Sequence, residues 1–305
     1  MKTKHIILFL LIGLAICGCG PSYDDVKKQS QAEQARLRKE DSLALKIGVM
    51  PTLDCLPAYI AKDYHLFDTV KADIRLKPYN SQIDCDAALA AGKLEGCFTD
   101  IVRGQYMKKR GIQLDYVAAT NTYWQLISNR NARIMRLNQL GDKMVAMARF
   151  SATALLVDYA TDSVKLNPEE VFKIQINDVA LRLSMLLNNE MDAMLLPEPQ
   201  ATAARLYNNP VLMDSREKDM RFGVVAFNTK QMKDQRRQQQ LSVFIKGYNS
   251  ACDSINKNGL KHYSETLKKY YKIDDKTING LPKMKFEHAQ PPRQKDITTA
   301  DKWLK

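Results

Sequence analysis

The sequence predicts an α/β fold made of two lobes of similar construction. From residue 46 onward, short apolar segments typical of buried strands alternate with segments of helical periodicity. A shift of 97 residues places the strand, turn and helix of 46–61 over those of 143–158, and places 89–100 over 186–197. The chain is also longer than a single core usually organises, which favours two domains. Chance similarity between generic βα units is the alternative explanation of the shift.

The first residues have the pattern of a secretory leader. Two lysines precede an apolar stretch of about 14 residues, fewer than the roughly 20 that a membrane-spanning helix needs. The stretch ends in ICGC, which resembles the lipobox of bacterial lipoproteins, with small Gly18 before Cys19. The resemblance implies a signal peptide over 1–18 and a lipid on Cys19. Cys17 is a rival acceptor, although bulky Ile16 precedes it, and an ordinary leader or an uncleaved anchor is the alternative to lipidation.

Segment 19–44 is predicted to be a tether behind the lipidated cysteine. It is rich in charged residues and glutamine and lacks a sustained apolar face. Such a segment cannot bury enough surface to fold alone, although a transient helix is compatible with its composition. The tether would hold the folded part away from the membrane.

Apolar patterning and prolines predict the elements of the first half. A buried strand is predicted for KIGVM, which Pro51 ends, and the next helix begins near Pro57. The elements that follow are strand DIRLKPY, a helix in IDCDAALAAGKLEG that ends at Gly92, strand CFTDIV, a helix in VRGQYMKKRG and strand LDYVAAT. Because helices separate the strands, most strands are predicted to be parallel.

Capping residues mark the helices of the second half. Asn167 and Pro168 begin a short helix, and Asp178 caps the helix VALRLSMLLNN. The predicted strands are FKIQIN, MDAMLL and RFGVVAFN, with helix PEPQATAARLYNN after the second of them. A long polar helix follows the last strand.

The composition argues against several classes of function. The formal charge of +12 comes from basic residues scattered among acids, which indicates a solvated surface, and an export signal is hard to reconcile with nucleic-acid binding. The histidines are dispersed, so neither a metal site nor a catalytic triad is predicted. The cysteines beyond the leader are predicted to be buried free thiols, with one disulfide as the alternative. They are Cys55, Cys85, Cys97 and Cys252.

Loops at strand ends supply the candidate ligand contacts, because ligands of open α/β sheets bind beyond the carboxyl ends of the strands. The helix that begins near Ala152 offers backbone N–H groups and the hydroxyls of Ser151 and Thr153 to a carboxylate, sulfonate or phosphate, unless Ser151 is only a helix cap. Acidic side chains on facing loops could bind an amine or ring N–H, and aromatic side chains could stack on a ring or pack in the core. The candidate ligand-binding residues are Thr52, Asp54, Thr99, Asp100, Asn121, Tyr123, Ser151, Thr153 and Glu198.

Four segments form a series along the chain: KIGVMPTLDCLPAYIAKDYHLF, DAALAAGKLEGCFTD, ARFSATALLVDYA and MDAMLLPEPQATAA. In this order they resemble the substrate-binding proteins of the nitrate, sulfonate and thiamine-precursor ABC importers. The resemblance implies an α/β two-lobe type 2 periplasmic-binding-protein fold with a ligand cleft between the lobes. Lobe 1 would comprise 46–120 plus 223–305 and lobe 2 would comprise 121–222, with crossovers near 120–126 and 220–228.

The same resemblance implies a solute-binding lipoprotein rather than an enzyme. It would capture a small anionic or heteroaromatic solute, such as a sulfonate or a thiamine precursor, and present it to an ABC permease and ATPase. It would act as a monomer in the cell envelope, lipid-anchored to the membrane, without cofactor or metal. A surface sensor or adhesion lipoprotein that reuses the fold is one alternative. A pyrimidine-synthase-like enzyme is another, although the cysteines here are isolated and do not form that group's cysteine-rich signature.

Overall fold

The computed structural model describes residues 23–305, so the predicted lipid-bearing Cys19 lies outside the described residues. The first described element is helix α1 (Tyr23–Leu43), which covers most of the predicted tether. Ion pairs one turn apart stabilise a polar helix of this kind, as between Arg36 and Glu33 at 2.7 Å. In the described part of the chain, no helix is long and apolar enough to cross a membrane. The role of this segment as a tether stays a prediction.

Residues 45–305 form one compact unit in which strands and helices alternate, and this confirms the predicted α/β class. The strands are β1 (Leu45–Val49), β2 (Ile74–Pro78), β3 (Gly96–Asp100), β4 (Leu114–Ala119), β5 (Gln125–Ser128), β6 (Lys143–Met147), β7 (Val171–Gln175), β8 (Ala193–Leu196), β9 (Val211–Asp214) and β10 (Gly223–Asn228). The helices are α2 (Leu56–Asp63), α3 (Gln82–Ala90), α4 (Ile101–Lys109), α5 (Ala152–Ser163), α6 (Val179–Leu187), α7 (Gln200–Leu206), α8 (Gln235–Asn258), α9 (Ser264–Tyr271), α10 (Asp275–Gly280) and α11 (Gln294–Trp303).

The strands form two five-stranded mixed sheets. Sheet 1 has the order β2-β1-β3-β10-β4, and sheet 2 has the order β7-β6-β8-β5-β9. Strand β1 is parallel to β2 and β3, and β6 is parallel to β7 and β8. Strands β10 and β5 run antiparallel to both of their neighbours. The prediction of mostly parallel strands is therefore wrong for half of the pairs, because β5 and β10 each enter their sheet from the other sheet.

The two sheets repeat one construction, as the 97-residue shift predicts. Their strand orders correspond one to one. A carboxylate oxygen of Glu95 accepts a hydrogen bond from the N–H of Lys46 in β1, at 2.6 Å. Asp192, which is 97 residues later, accepts in the same way from the N–H of Met144 in β6, at 2.8 Å. These contacts recur at corresponding strands, although their donors are 98 rather than 97 residues apart, and together with the strand orders they support two sheets of similar construction.

The chain crosses between the sheets twice. It passes from β4 to β5 through 120–124, within the predicted range 120–126. It returns from β9 to β10 through 215–222, earlier than the predicted 220–228, because the apolar residues after that point already form β10 inside sheet 1. The C-terminal helix α11 packs against α4, which follows a strand of sheet 1, and against α5, which follows a strand of sheet 2. The end of the chain therefore contacts helices of both sheets. The proposed lobe boundaries stay a prediction.

Separate apolar clusters surround the two sheets. The largest packs on sheet 1 and includes Ile47, Phe98 and Phe244. Of the two smaller clusters, one packs on sheet 2 alone, and the other joins sheet 2 to Val224 of β10 and to helix α4. The four cysteines of the described chain all lie in the first cluster, buried and unpaired, which confirms the prediction of free thiols.

Candidate functional site

A small cavity, which we call the cleft cavity, lies between the loops of sheet 1 and those of sheet 2. Its volume is about 60 Å³. Sheet 1 and its connections contribute Met50, Thr52, Asp54, Gln82, Phe98, Thr99, Asp100 and Arg103. Sheet 2 and its connections contribute Ala148, Ser151, Thr153, Asn177, Val179, Arg182 and Pro197, and the crossover contributes Thr122 and Trp124. Six of the nine candidate residues line the cavity, and the exceptions are Asn121, Tyr123 and Glu198.

The first turn of α5 lies at this cavity, but its N–H groups are bonded within the protein. Ser151 caps the helix and accepts from the N–H of Thr153 at 3.1 Å. Asp100 Oδ1 accepts from the N–H of Ala152 at 3.0 Å. The same oxygen caps α4, because it also accepts from the N–H of Arg103 at 2.9 Å. The carboxylate of Asp100 therefore caps α4 beside sheet 1 and α5 beside sheet 2. At the start of α5 it occupies the position where the sequence predicts the anionic group of a ligand.

Burial raises the pKa of two carboxyl groups in the cavity. The pKa of Asp100 rises to about 7, although its two hydrogen bonds from backbone N–H groups oppose the effect of burial. Burial also raises the pKa of Asp54, whose carboxylate accepts from the hydroxyl of Thr52 at 2.6 Å and from that of Thr120 at 3.2 Å. Near neutral pH, the carboxyl group of Asp100 is therefore present in both protonation states.

Two buried arginines line the cavity, and the first of them has a counter-ion. Arg103 Nε donates to Asp86 Oδ2 in an ion pair that is almost fully buried. Gln82 Nε2 and Thr99 Oγ1 donate to the other oxygen of Asp86, at 3.0 and 3.4 Å. Arg103 Nη1 also donates to the carbonyl of Arg149 at 3.0 Å, on the opposite side of the cavity. The charge of Arg103 is thus balanced within the protein.

The second arginine, Arg182 on α6, has no ion pair with any residue of the described chain. Its side chain is buried, Nη1 donates to the carbonyl of Leu195 at 2.7 Å, and Nε has no hydrogen-bond partner. Burial lowers the pKa of Arg182 to about 10, and only longer-range attraction to Asp178 opposes this. A buried charge without a counter-ion is costly. An anion in the cleft cavity would supply the missing counter-ion.

Three candidate residues contact other parts of the protein. The hydroxyl of Tyr123 donates to Glu198 Oε1 at 2.6 Å. The carboxylate of Glu198 also accepts from Arg205 Nη2 at 2.8 Å and from the N–H of Thr202 at 2.9 Å, so it is satisfied internally. Asn121 Nδ2 donates to a carbonyl of the C-terminal segment at 3.1 Å. A role in ligand binding stays a prediction for all three.

Sequence reasoning missed both arginines of the cavity. Arg182 carries a signal, because it lies on the same face of α6 as Val179 and Leu186, three residues before it and four after it, and both are buried. A charge on the apolar face of a helix indicates a buried polar site. Arg103 carries no such signal, because Asp86 is 17 residues away in another helix.

Comparison with known proteins finds similarity of structure. No family model matches the chain, and no curated protein sequence matches it either. The ligand-binding component of an ABC-type import system from Staphylococcus aureus, with zinc bound, is similar with a TM-score of 0.72 at 18% identity, over 86% of this chain and 91% of that one. The alkanesulfonate-binding protein SsuA from Xanthomonas axonopodis pv. citri, bound to MOPS, gives 0.72 at 14% identity over 86% and 91%. The periplasmic nitrate-binding protein NrtA from Synechocystis PCC 6803 gives 0.67 at 12% identity over 78% and 69%.

At these identities the similarity shows the fold. The two mixed sheets, their common strand order and the two crossovers agree with it. The predicted two-lobe type 2 periplasmic-binding-protein fold is thereby confirmed.

Proposed function

We propose that the chain is the solute-binding component of an ABC importer and that it holds a small anion in the cleft cavity. The observation that carries this proposal is Arg182, a buried cation that lines the cavity and has no ion pair in the described chain. The hydroxyls of Thr52, Ser151 and Thr153 line the same cavity, but they are bonded within the protein, so each would exchange an internal hydrogen bond in order to donate to a ligand. A solute there would touch loops of both sheets, so it would bind a closed arrangement better than an open one.

The size of the cavity favours a small anion over a heteroaromatic solute. A volume of about 60 Å³ is far below the range of about 300 to 1,000 Å³ that is usual for pockets of drug-sized ligands. A group the size of nitrate or of a sulfonate head suits this space better than a substituted ring. The anion-binding proteins that share the fold include an alkanesulfonate binder and a nitrate binder, which supports the same choice.

The partners and the location follow from the same proposal. A solute-binding component delivers its ligand to an ABC permease and ATPase, and we infer that this chain does so as a monomer. We further infer that lipid on Cys19 anchors it at the extracytoplasmic face of a membrane, with 19–44 as the tether. The leader-like start and the ICGC segment support this anchoring.

Calorimetric titration of the purified protein tests the proposed function. Nitrate, sulfate, phosphate and methanesulfonate are the ligands, and choline chloride at equal ionic strength is the control. We expect saturable binding of at least one anion with a dissociation constant below about 1 mM, or about −4 kcal/mol. The proposal would be wrong if choline bound and none of the four anions did, or if no ligand bound at all.

Anion affinity should rise as the pH falls through 7. Asp100, with a pKa of about 7, is mostly ionised at pH 8 and mostly protonated at pH 6, where it no longer repels a bound anion. We expect affinity to be about three- to tenfold higher at pH 6 than at pH 8. Asp100→Asn keeps an oxygen for both capping bonds but carries no charge, so it should remove this dependence. Titrations at both pH values measure the effect, and an unchanged dependence in the variant would contradict the assignment.

Substitution of the two leader cysteines tests the anchoring. We expect Cys19→Ala to abolish labelling by a fatty-acid analogue and to release the protein from membranes, because the lipid acceptor is lost. Cys17→Ala is the matched control and should leave both properties intact. Radiolabelling and membrane fractionation measure the outcome, and undiminished labelling of the Cys19→Ala protein would rule out this acceptor.

A further inference from the structure

A second and larger cavity lies beside the two crossovers, and we call it the crossover pocket. Its volume is about 460 Å³, within the range usual for pockets that hold small organic molecules. Its walls come from three segments, which are 119–123 of the first crossover, 216–221 of the return and 283–296 near the C-terminus. It shares a single lining residue, Thr122, with the cleft cavity.

Hydrogen bonds fasten the C-terminal wall of the pocket to the first crossover. The N–H of Ala119 donates to the carbonyl of Gln290 at 2.6 Å. Asn121 Nδ2 donates to the carbonyl of Lys285 at 3.1 Å. The walls are therefore joined to one another before any ligand binds.

Five basic side chains line the crossover pocket, and carboxylates neutralise two of them. Arg216 pairs with Asp214 at 2.7 Å. Arg293 pairs with Asp219 at 2.6 Å and with Asp296 at 2.7 Å. These two arginines contribute little net charge to the pocket.

The other three basic side chains are in excess. Lys283 and Lys285 are exposed and form no ion pair with the residues of 23–305. The guanidinium of Arg221 lies 3.8 Å from the carboxylate of Asp219, which is its one ion-pair partner in the described chain. Other basic side chains lie closer to that carboxylate than Arg221 does, so its charge is only weakly neutralised. Glu287 is the lining acid that has no ion pair in the described chain. The pocket therefore carries a net positive charge that suits an anion with more than one negative charge.

We propose that the crossover pocket is a second binding site, specific for an organic phosphate monoester. Its dianionic phosphate would lie among Lys283, Lys285 and Arg221. Its apolar body would pack on Met220 and Met284, whose flexible thioethers adapt to different shapes. The cleft cavity is much smaller than the crossover pocket, so we expect the two sites to prefer different molecules.

Binding of 1-naphthyl phosphate, which joins a dianion to an apolar ring system, tests this site by fluorescence titration of the full chain. We expect saturable binding, and we expect inorganic phosphate and 1-naphthol to displace the probe at least tenfold less effectively than an unlabelled phosphate monoester, because each lacks one half of the recognised structure. Lys283→Gln combined with Lys285→Gln should weaken naphthyl phosphate at least tenfold, since each lysine supplies a charged hydrogen bond.

Two control variants make the result decisive. Lys230→Gln combined with Lys233→Gln removes the same charge at exposed positions just after the C-terminal end of β10. The return crossover enters β10 at its other end, so this variant should not change binding. Arg182→Met alters the cleft cavity and should also leave naphthyl phosphate binding unchanged. Absence of saturable binding, equal losses in the two double-lysine variants, or loss of binding in Arg182→Met would each overturn the proposal. None of these results bears on anion binding in the cleft cavity, which the calorimetric titrations test separately.

Discussion

Arg182→Met should reduce anion affinity by about a hundredfold while the folded protein stays as stable as before or becomes more stable. A hydrogen bond to a charged group contributes about 1.5 to 3 kcal/mol, and the upper end of this range corresponds to roughly a hundredfold in affinity. Methionine preserves most of the side-chain volume and removes a buried charge that has no ion pair in the described chain. Replacing buried charges by apolar side chains is often neutral or stabilising. The lost bond to Leu195 offsets part of this gain.

Two measurements on the same variant check this expectation. Titration calorimetry with the anion that binds the parent protein best gives the affinity, and urea denaturation gives the free energy of unfolding. Arg130→Met is the matched control, because it removes the same charge from an exposed position. Arg130 follows the C-terminal end of β5, and the cleft cavity lies at the other end of that strand. Unchanged anion affinity in Arg182→Met would show that the anion site lies elsewhere. A loss of several kcal/mol in stability would show that Arg182 is structural.

Arg103→Met should have the opposite effect on stability, although it is the same substitution in the same cavity. It leaves the carboxylate of Asp86 buried without its ion pair. Breaking a buried ion pair by removing one partner costs about 3 to 5 kcal/mol, because the remaining charge is left uncompensated. Urea denaturation of the variant and of the parent protein measures this difference.

A second substitution isolates the cause of that loss. Asp86→Asn in the Arg103→Met background removes the uncompensated charge while keeping the shape of the side chain, so it should restore much of the lost stability. As a control, Asp68→Asn breaks an exposed ion pair with Lys71 and should cost less than about 1 kcal/mol. Equal stability of Arg103→Met and the parent protein, or no recovery in the double variant, would contradict this account.

Part of the fold and of the candidate site could be predicted because the relevant signals are local. Alternating apolar patterns and caps such as Asp178 depend on neighbours along the chain, and they located the strands and helices. The 97-residue shift located corresponding contacts such as those of Glu95 and Asp192. Loops at strand ends were sufficient to select residues that line one cavity, among them Asp54 and Ser151.

The sequence by itself determined the α/β class, the repeated construction and the set of loops that surround the cleft cavity. The tertiary structure decided which charges face one another there. Asp100 caps a helix that begins 52 residues later, and Arg103 has a carboxylate partner whereas Arg182 has none in the described chain. Periodicity describes neighbours along the chain, but the partner of a buried charge is set by elements that meet only in the folded chain. Asp86 and Arg103 meet on two helices beside sheet 1, whereas Asp100 and Ala152 meet across the two sheets. The sign of the ligand could therefore be inferred only after the arginines were seen in place.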